Sequence, residues 1–185
     1  DIDRLGIFQN DCKREGGPGT ASGLKEIFSK LMEMVMSDLS SYTEEGYAYR
    51  VDMRLRTFGI SGELVNSING IISYYEKAAS LWEIQAAIKI RPVAGNPRIG
   101  YELLEKLGAL LNRPRDREHI VESIEKMRDL AVQAYGGPLR DTVDIKSGIG
   151  GIRDVEFLVQ GLPLIHAPGK GYSYEGNTLL AIESL

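Results

Sequence analysis

The sequence holds one cysteine, two histidines and one tryptophan in 185 residues, and each scarcity removes a class of protein. A lone Cys12 cannot close an intrachain disulfide, so the chain is no disulfide-stapled scaffold, and a reducing compartment, the cytoplasm, is its expected home. His119 and His166 are far apart and lack metal-ligand spacing, so both read as surface or capping groups. No apolar run approaches the roughly 20 residues a membrane helix needs, and the first residues carry no basic and apolar signal segment. Positive charge is not in excess either. With 22 basic and 26 acidic residues the formal charge is −4, which gives no general attraction to nucleic acid or to an acidic membrane, so any anion site must be local. Walker and dinucleotide-binding glycine spacings are missing, and so is a nucleophile elbow. The chain opens on Asp1 without a starting Met, which suggests that it begins partway through a larger protein.

What is present divides by hydrophobic period. DIDRLGIFQ reads as a short strand, weakened by Arg4 and Gly6, and NDCKREGGPGTASG reads as a mobile loop. Leu24, Ile27, Phe28, Leu31, Val35 and Leu39 recur at helical spacing and predict a helix over 24–40. Alternation over 47–56 predicts a strand, GISG a turn, and ELV further extended chain; residues 68–82 read as helical. AAIKIRPV alternates again and predicts a second strand, with Lys89 and Arg91 on one face. From about residue 98 the pattern is helical. One helix carries Ile99 to Leu111, a second is capped by Asp116 and ended by Gly136 and Gly137, a third carries Ile152, Val155, Leu158, Val159 and Leu162 with Pro163 as a point where it bends or ends, and a short last one is capped by Asn177. The predicted fold class is α+β: a small mixed sheet with helices over 1–97, then a helical domain over 98–185.

Three groups of residues could carry chemistry. On a strand, the two-residue spacing of Asp1 and Asp3 aims both carboxylates one way, and Asp52 on a neighbouring strand would add a third. Hard oxygen ligands so placed suit Mg²⁺ and phosphoryl or nucleotidyl transfer, whereas an isolated Asp-x-Asp is more often solvated surface. Within YAYRVDMRLRTFGISGE, strict alternation would set Arg50, Asp52, Arg54 and Arg56 on one face against Tyr49, Val51, Met53 and Leu55 on the other. That cationic face, with Lys89 and Arg91, is either a phosphate grip or a solvated surface with Asp52 as counter-ion. The glycines of DIKSGIGGIRDVEFLVQ stand just before a helix, where they favour a tight, packed helix start over a phosphate cradle. Beyond them Glu156 and Gln160 share a polar face that could meet the sheet domain.

The blocks YRVDMRLRTFGISGELV, SYYEKAASLWEIQAAIKIRPVAG and DIKSGIGGIRDVEFLVQGLPLIH, in this order, resemble the glutamine synthetase adenylyltransferase (glutamate-ammonia ligase adenylyltransferase) family. The resemblance implies a DNA polymerase β-like nucleotidyltransferase sheet followed by helices. It implies that Asp1, Asp3 and Asp52 bind catalytic Mg²⁺, and it puts Arg54, Arg56, Lys89 and Arg91 on motif positions where charge and facing suggest a phosphate role. Glutamine synthetase and the PII signalling protein are the implied partners, with ATP, ADP and phosphate as the small molecules. The forms around Asp52 and in GGIRDVEF are closer to the N-terminal, adenylyl-removing half, in which phosphate attacks the AMP–tyrosine linkage and ADP is released. The alternatives are adenylylation with ATP, or a non-catalytic docking or regulatory module. Arg4, Gly6, Thr57 and Pro163 depart from the family pattern. The Gly- and Ser-containing segment that precedes the Asp pair in nucleotidyltransferases is not found ahead of Asp1, which implies a fragment of a larger enzyme.

Overall fold

The structure, a computed structural model, describes residues 2–9, 21–135, 144–166, 168 and 176–183. Asp1, Cys12, most of the loop read from NDCKREGGPGTASG, and Gly136 and Gly137 lie outside the described residues. The fold is mixed α+β, mostly helical, with short parallel strand pairings. It divides into two compact units, Asp1–Ala79 with Pro92–Leu103, and Ser80–Arg91 with Leu104–Leu185.

In the first unit the N-terminal segment forms two short strands, β1 (Ile2–Asp3) and β2 (Gly6–Phe8), where one was expected. β1 pairs in parallel with β3 (Val51–Asp52), and β2 in parallel with β4 (Val65–Ser67). The N–H of Arg4 donates to the carbonyl of Asp52 at 3.0 Å, which carries the β1–β3 ladder one residue further. Gly6 has a packing reason: a Cβ there would lie 2.6 Å from Val65 Cγ1 and 2.8 Å from Met32 Cε. Only the missing side chain lets β2 approach both β4 and helix α1 (Ala21–Ser40). Leu24 of α1 is buried and Phe28 stacks on Phe8 at 5.7 Å between ring centroids, so the helical stripe covers the strands; Ile27 and Leu31 of the same stripe stay exposed.

The predicted strand over 47–56 is cut down to β3, two residues long. Beyond Asp52 the chain folds into consecutive turns and a 3-10 turn at Gly59–Ser61, so GISG is a turn as expected. Extended chain resumes only at Val65, and Met53 is buried while Tyr49 and Leu55 are exposed, so the expected apolar face does not form. Helix α2 (Ile68–Lys77) follows, its first turn capped by the Ser67 hydroxyl, which accepts from Gly70 N–H at 3.1 Å. Ile68, Ile71 and Tyr74 are its buried residues.

In the second unit the expected strand AAIKIRPV is instead the end of helix α3 (Leu81–Ala87) and the turn after it. The Glu83 carboxylate accepts from the backbone N–H and the hydroxyl of Ser80, at 2.9 and 2.7 Å, a reciprocal start that nucleates a helix. Leu81, Ile84 and Ile88 then follow the helical stripe, and the alternation of Ile88 and Ile90 is incidental to it. Helix α4 (Pro97–Leu111) gives its first residues to the first unit and its last to the second. Asp116 caps α5 (Arg117–Tyr135) through His119 N–H at 3.2 Å, and Asn177 caps α7 (Thr178–Glu183) through Leu179 N–H at 2.9 Å, both as expected. Helix α6 (Ile152–His166) runs through Pro163 without ending. The core of this unit is Ile88, Leu111, Ile120 and Leu164, with Leu81, Ile84, Ile124 and Ile165 packed on it.

Candidate functional site

The parallel β1–β3 pairing sets Asp3 opposite Asp52 in register. Register partners on adjacent parallel strands lie about 4.8 Å apart and send their side chains to the same face, so two carboxylates meet on one surface. Asp3 is exposed and Asp52 is half-buried. Asp1, the third member of the expected triad, lies outside the described residues. Among the described residues no three His, Cys, Asp or Glu side chains form a group that could hold a metal ion. Two carboxylates are nevertheless a donor set of the right chemistry for Mg²⁺, which takes a few hard oxygens and completes its shell with water and substrate phosphates.

The Asp52 carboxylate already holds a cation of the chain itself. Arg54 Nε donates to Oδ2 at 2.7 Å, its terminal nitrogen lies 2.5 Å from the same oxygen, and the Arg54 backbone N–H donates to Oδ1 at 2.8 Å. The side-chain hydrogen bond from Arg54 holds the Asp52 carboxyl below the ordinary carboxylate value, against the opposing effect of partial burial. The Arg50 charge acts in the same direction.

The other expected phosphate-binding residues are not arranged as a shared strand face. Arg56 turns back into its own loop: Nε donates to the Gly62 carbonyl at 2.9 Å, and its two terminal nitrogens donate to the carbonyls of Met53 at 3.1 Å and Ile60 at 2.6 Å. Its five-donor fork matches three converging carbonyls and closes the turns after β3. Buried Thr57 sits in the same loop, its hydroxyl accepting from Asn66 Nδ2 at 2.8 Å. Lys89 and Arg91 belong to the second unit, in the turn after α3 and the irregular chain beyond it. Lys89 Nζ lies 2.5 Å from Glu156 Oε1 of α6, and Gln85 Nε2 donates to Gln160 Oε1 at 3.0 Å. The polar face of Glu156 and Gln160 therefore has partners on and just after α3, a pairing hidden by reading 86–93 as a strand. The Ser80 and Glu83 cap is the local signal of helix α3 itself.

The glycine segment before α6 is a self-closed helix start, as expected. Asp144 Oδ1 accepts from the N–H groups of Lys146 and Ser147, both at 2.9 Å, and Ile152 and Arg153 N–H donate to the carbonyls of Ile145 and Lys146. These amides are spent inside the segment and do not point at an anion. Asp154 completes the closure, accepting from Gly150 N–H at 2.8 Å and from Arg128 Nε at 2.9 Å. Arg128, and then the Gly150 amide, lower the Asp154 carboxyl below its ordinary value.

The model of the glutamate-ammonia ligase adenylyltransferase family matches residues 1–106, the part that carries Asp3, Asp52 and the loop beyond them. The chain belongs to this family. A second family model, GlnD PII-uridylyltransferase, matches residues 120–185. Among individual relatives, the bifunctional glutamine synthetase adenylyltransferase/adenylyl-removing enzyme of Streptomyces coelicolor is 37% identical over 97% of the chain and 18% of its own length. The proteins of the same name from Pseudomonas putida and Xanthomonas campestris are 35% and 33% identical, over 98% and 100% of the chain and 18% and 19% of their own lengths. The chain thus spans about a fifth of the length of the curated relatives it matches. Among the described residues no helix is long and apolar enough to cross a membrane.

Proposed function

We propose that this chain is the part of a glutamine synthetase adenylyltransferase/adenylyl-removing enzyme that carries carboxylates of an adenylyl-removing site, on a sheet of the polymerase β type. The observation that carries the reading is the register of Asp3 against Asp52, two carboxylates on one face of a parallel pair, in a chain whose relatives bear that name. Asp3 and Asp52, with Asp1, would hold Mg²⁺. Such ions, when bound, activate the attacking oxygen and stabilise the leaving one. The chain's own residues supply the rest: the parallel pairing orients the carboxylates, and Arg50 and Arg54 place positive charge beside Asp52, where phosphate oxygens would approach. Arg56 has a structural part to play, holding the loop that follows β3.

The reaction is phosphorolysis. An oxygen of inorganic phosphate attacks the phosphorus of AMP on the tyrosine of glutamine synthetase, the bond from phosphorus to the tyrosine oxygen breaks, the tyrosine takes up a proton, and ADP leaves. Removal is preferred to attachment because the sequence around Asp52 and in GGIRDVEF resembles the adenylyl-removing half. The test uses the whole protein that contains this chain. It is supplied with adenylylated glutamine synthetase and Mg²⁺, with and without phosphate, and separately with ATP and unmodified glutamine synthetase. ADP release that requires phosphate, and that is lost when Asp52 is replaced, supports the reading. If the Asp52 replacement instead abolishes only AMP transfer from ATP, this chain serves the opposite direction.

A further inference from the structure

We infer that Phe58 is a platform for the adenine ring, holding the base of the AMP group while the carboxylates of β1 and β3 serve its phosphorus. The inference deepens the reading of Asp3 and Asp52 as an adenylyl-removing site and rests on it. Among the described residues Phe58 alone, apart from glycines, has a positive φ, with φ 62° and ψ 18°. A bulky side chain is strained in this left-handed region, where glycine or asparagine would be at ease. Phe58 is also 63% exposed, so burial does little to offset the strain. Strain kept without burial points to a use of the ring by a ligand.

The loop around Phe58 is built to hold that conformation. The Phe58 carbonyl accepts from the Ser61 hydroxyl at 3.0 Å, and Arg56 ties the carbonyls of Met53, Ile60 and Gly62 together. A Cβ on Gly62 would lie 1.8 Å from the Thr57 carbonyl oxygen, so the loop closes on itself directly beneath Phe58. Buried Tyr74 supports the ring, with centroids 4.5 Å apart and planes inclined at 64°, and most of the residue stays open. Two consecutive turns lead from β3 to Phe58, closed by Arg56 N–H on the Met53 carbonyl and Gly59 N–H on the Arg56 carbonyl. Each turn spans less than about 7 Å between its end Cα atoms, which keeps Phe58 within about 14 Å of Met53. A nucleotide carries its base and its phosphate at opposite ends of a ribose, so a base platform belongs to one side of the carboxylates and not among them. An aromatic face suits any base, because stacking needs only the π surface. The tyrosine that carries AMP is flat as well, and ADP, which lacks it, tells the two apart.

The test uses the whole protein that contains this chain and follows ADP binding in Mg²⁺ by calorimetry, with circular dichroism to show that each variant is folded. Phe58→Leu keeps an apolar side chain at the same φ and removes the ring; it is expected to weaken ADP binding about tenfold, the scale of one lost base stack. Phe58→Trp keeps a stacking face and is expected to bind ADP at least as tightly as the unaltered protein. The fluorescence of its added indole, taken as the difference from the unaltered protein, is expected to change as ADP saturates and to stay constant with inorganic pyrophosphate, which has no base. A folded Phe58→Leu protein with unaltered ADP affinity overturns the platform, and so does an indole that responds to pyrophosphate as it does to ADP. Asp52→Asn separates the two levels. If it leaves phosphate-dependent ADP release at the unaltered rate, the reading of the site is wrong and the platform falls with it; if it abolishes release while Phe58→Leu binds ADP normally, only the platform falls.

Discussion

Asp3 and Asp52 stand opposite each other across β1 and β3, one residue of each two-residue strand against one of the other. The pairing is short, and it is extended by the Arg4 N–H bond to the Asp52 carbonyl and by the β2–β4 pairing that begins at Gly6. The position of the carboxylates therefore depends on how closely the segment after Asp3 can pack.

That dependence makes Gly6 a point of sensitivity. Gly6→Ala would put a Cβ 2.6 Å from the stiff Val65 side chain and 3.0 Å from the Leu64 carbonyl oxygen, and is expected to cost about 1–3 kcal/mol of stability by overpacking. Urea unfolding measures it. Val65→Ala in the same chain should recover part of the loss, and purely additive effects of the two substitutions would contradict the contact.

The two arginines that flank Leu55 are expected to behave differently. Arg56→Lys loses the fork that binds the carbonyls of Met53, Ile60 and Gly62, and should lower stability by about 2 kcal/mol. Arg54→Gln removes a largely exposed ion pair and should change stability by no more than about 1 kcal/mol. Equal losses in denaturant melts of the two variants would show that the loop is held in another way.

Asp154 gives the chain a pH dependence of known sign. Its folded-state carboxyl is lowered by Arg128 and by the Gly150 amide, so its contribution to stability is present above the unfolded value of about 3.9 and is lost as pH falls through the folded one. Asp154→Asn should therefore be less stable than the unaltered chain at neutral pH, and the gap should close in strong acid. Unfolding midpoints of both chains, measured across that range, check this; a gap that widens on acidification would contradict the pairing.

The sequence made the helical part of the fold legible because caps and stripes report it locally: Asp116 and Asn177 cap the helices they were expected to cap. It is misleading where alternating residues find partners within their own turn instead of across a strand. Arg50 to Arg56 alternate with apolar residues, yet the Asp52 carboxylate binds the amide of Arg54 and Arg56 finds three carbonyls, so the chain turns instead of extending. The segment 86–93 alternates as well, but Ser80 and Glu83 had already started a helix whose last turn lies there. The partners of Glu156 and Gln160, which lie 67 and 75 positions away at Lys89 and Gln85, could not be found by any local pattern. The pairing of Asp3 with Asp52 is also non-local; residue spacing alone signals it weakly, and the resemblance to the family is what made it legible.

The central claim is that the carboxylate opposite Asp3 serves adenylyl removal, and the most direct measurement is the rate of phosphate-dependent ADP release from adenylylated glutamine synthetase by the whole protein carrying Asp52→Asn. The substitution keeps size and removes one charge, so the fold should survive, as circular dichroism can verify. The account expects the rate to fall by about a hundredfold or more, the scale of losing one pre-set electrostatic partner of the reacting group. A folded variant that releases ADP at the unaltered rate would contradict it.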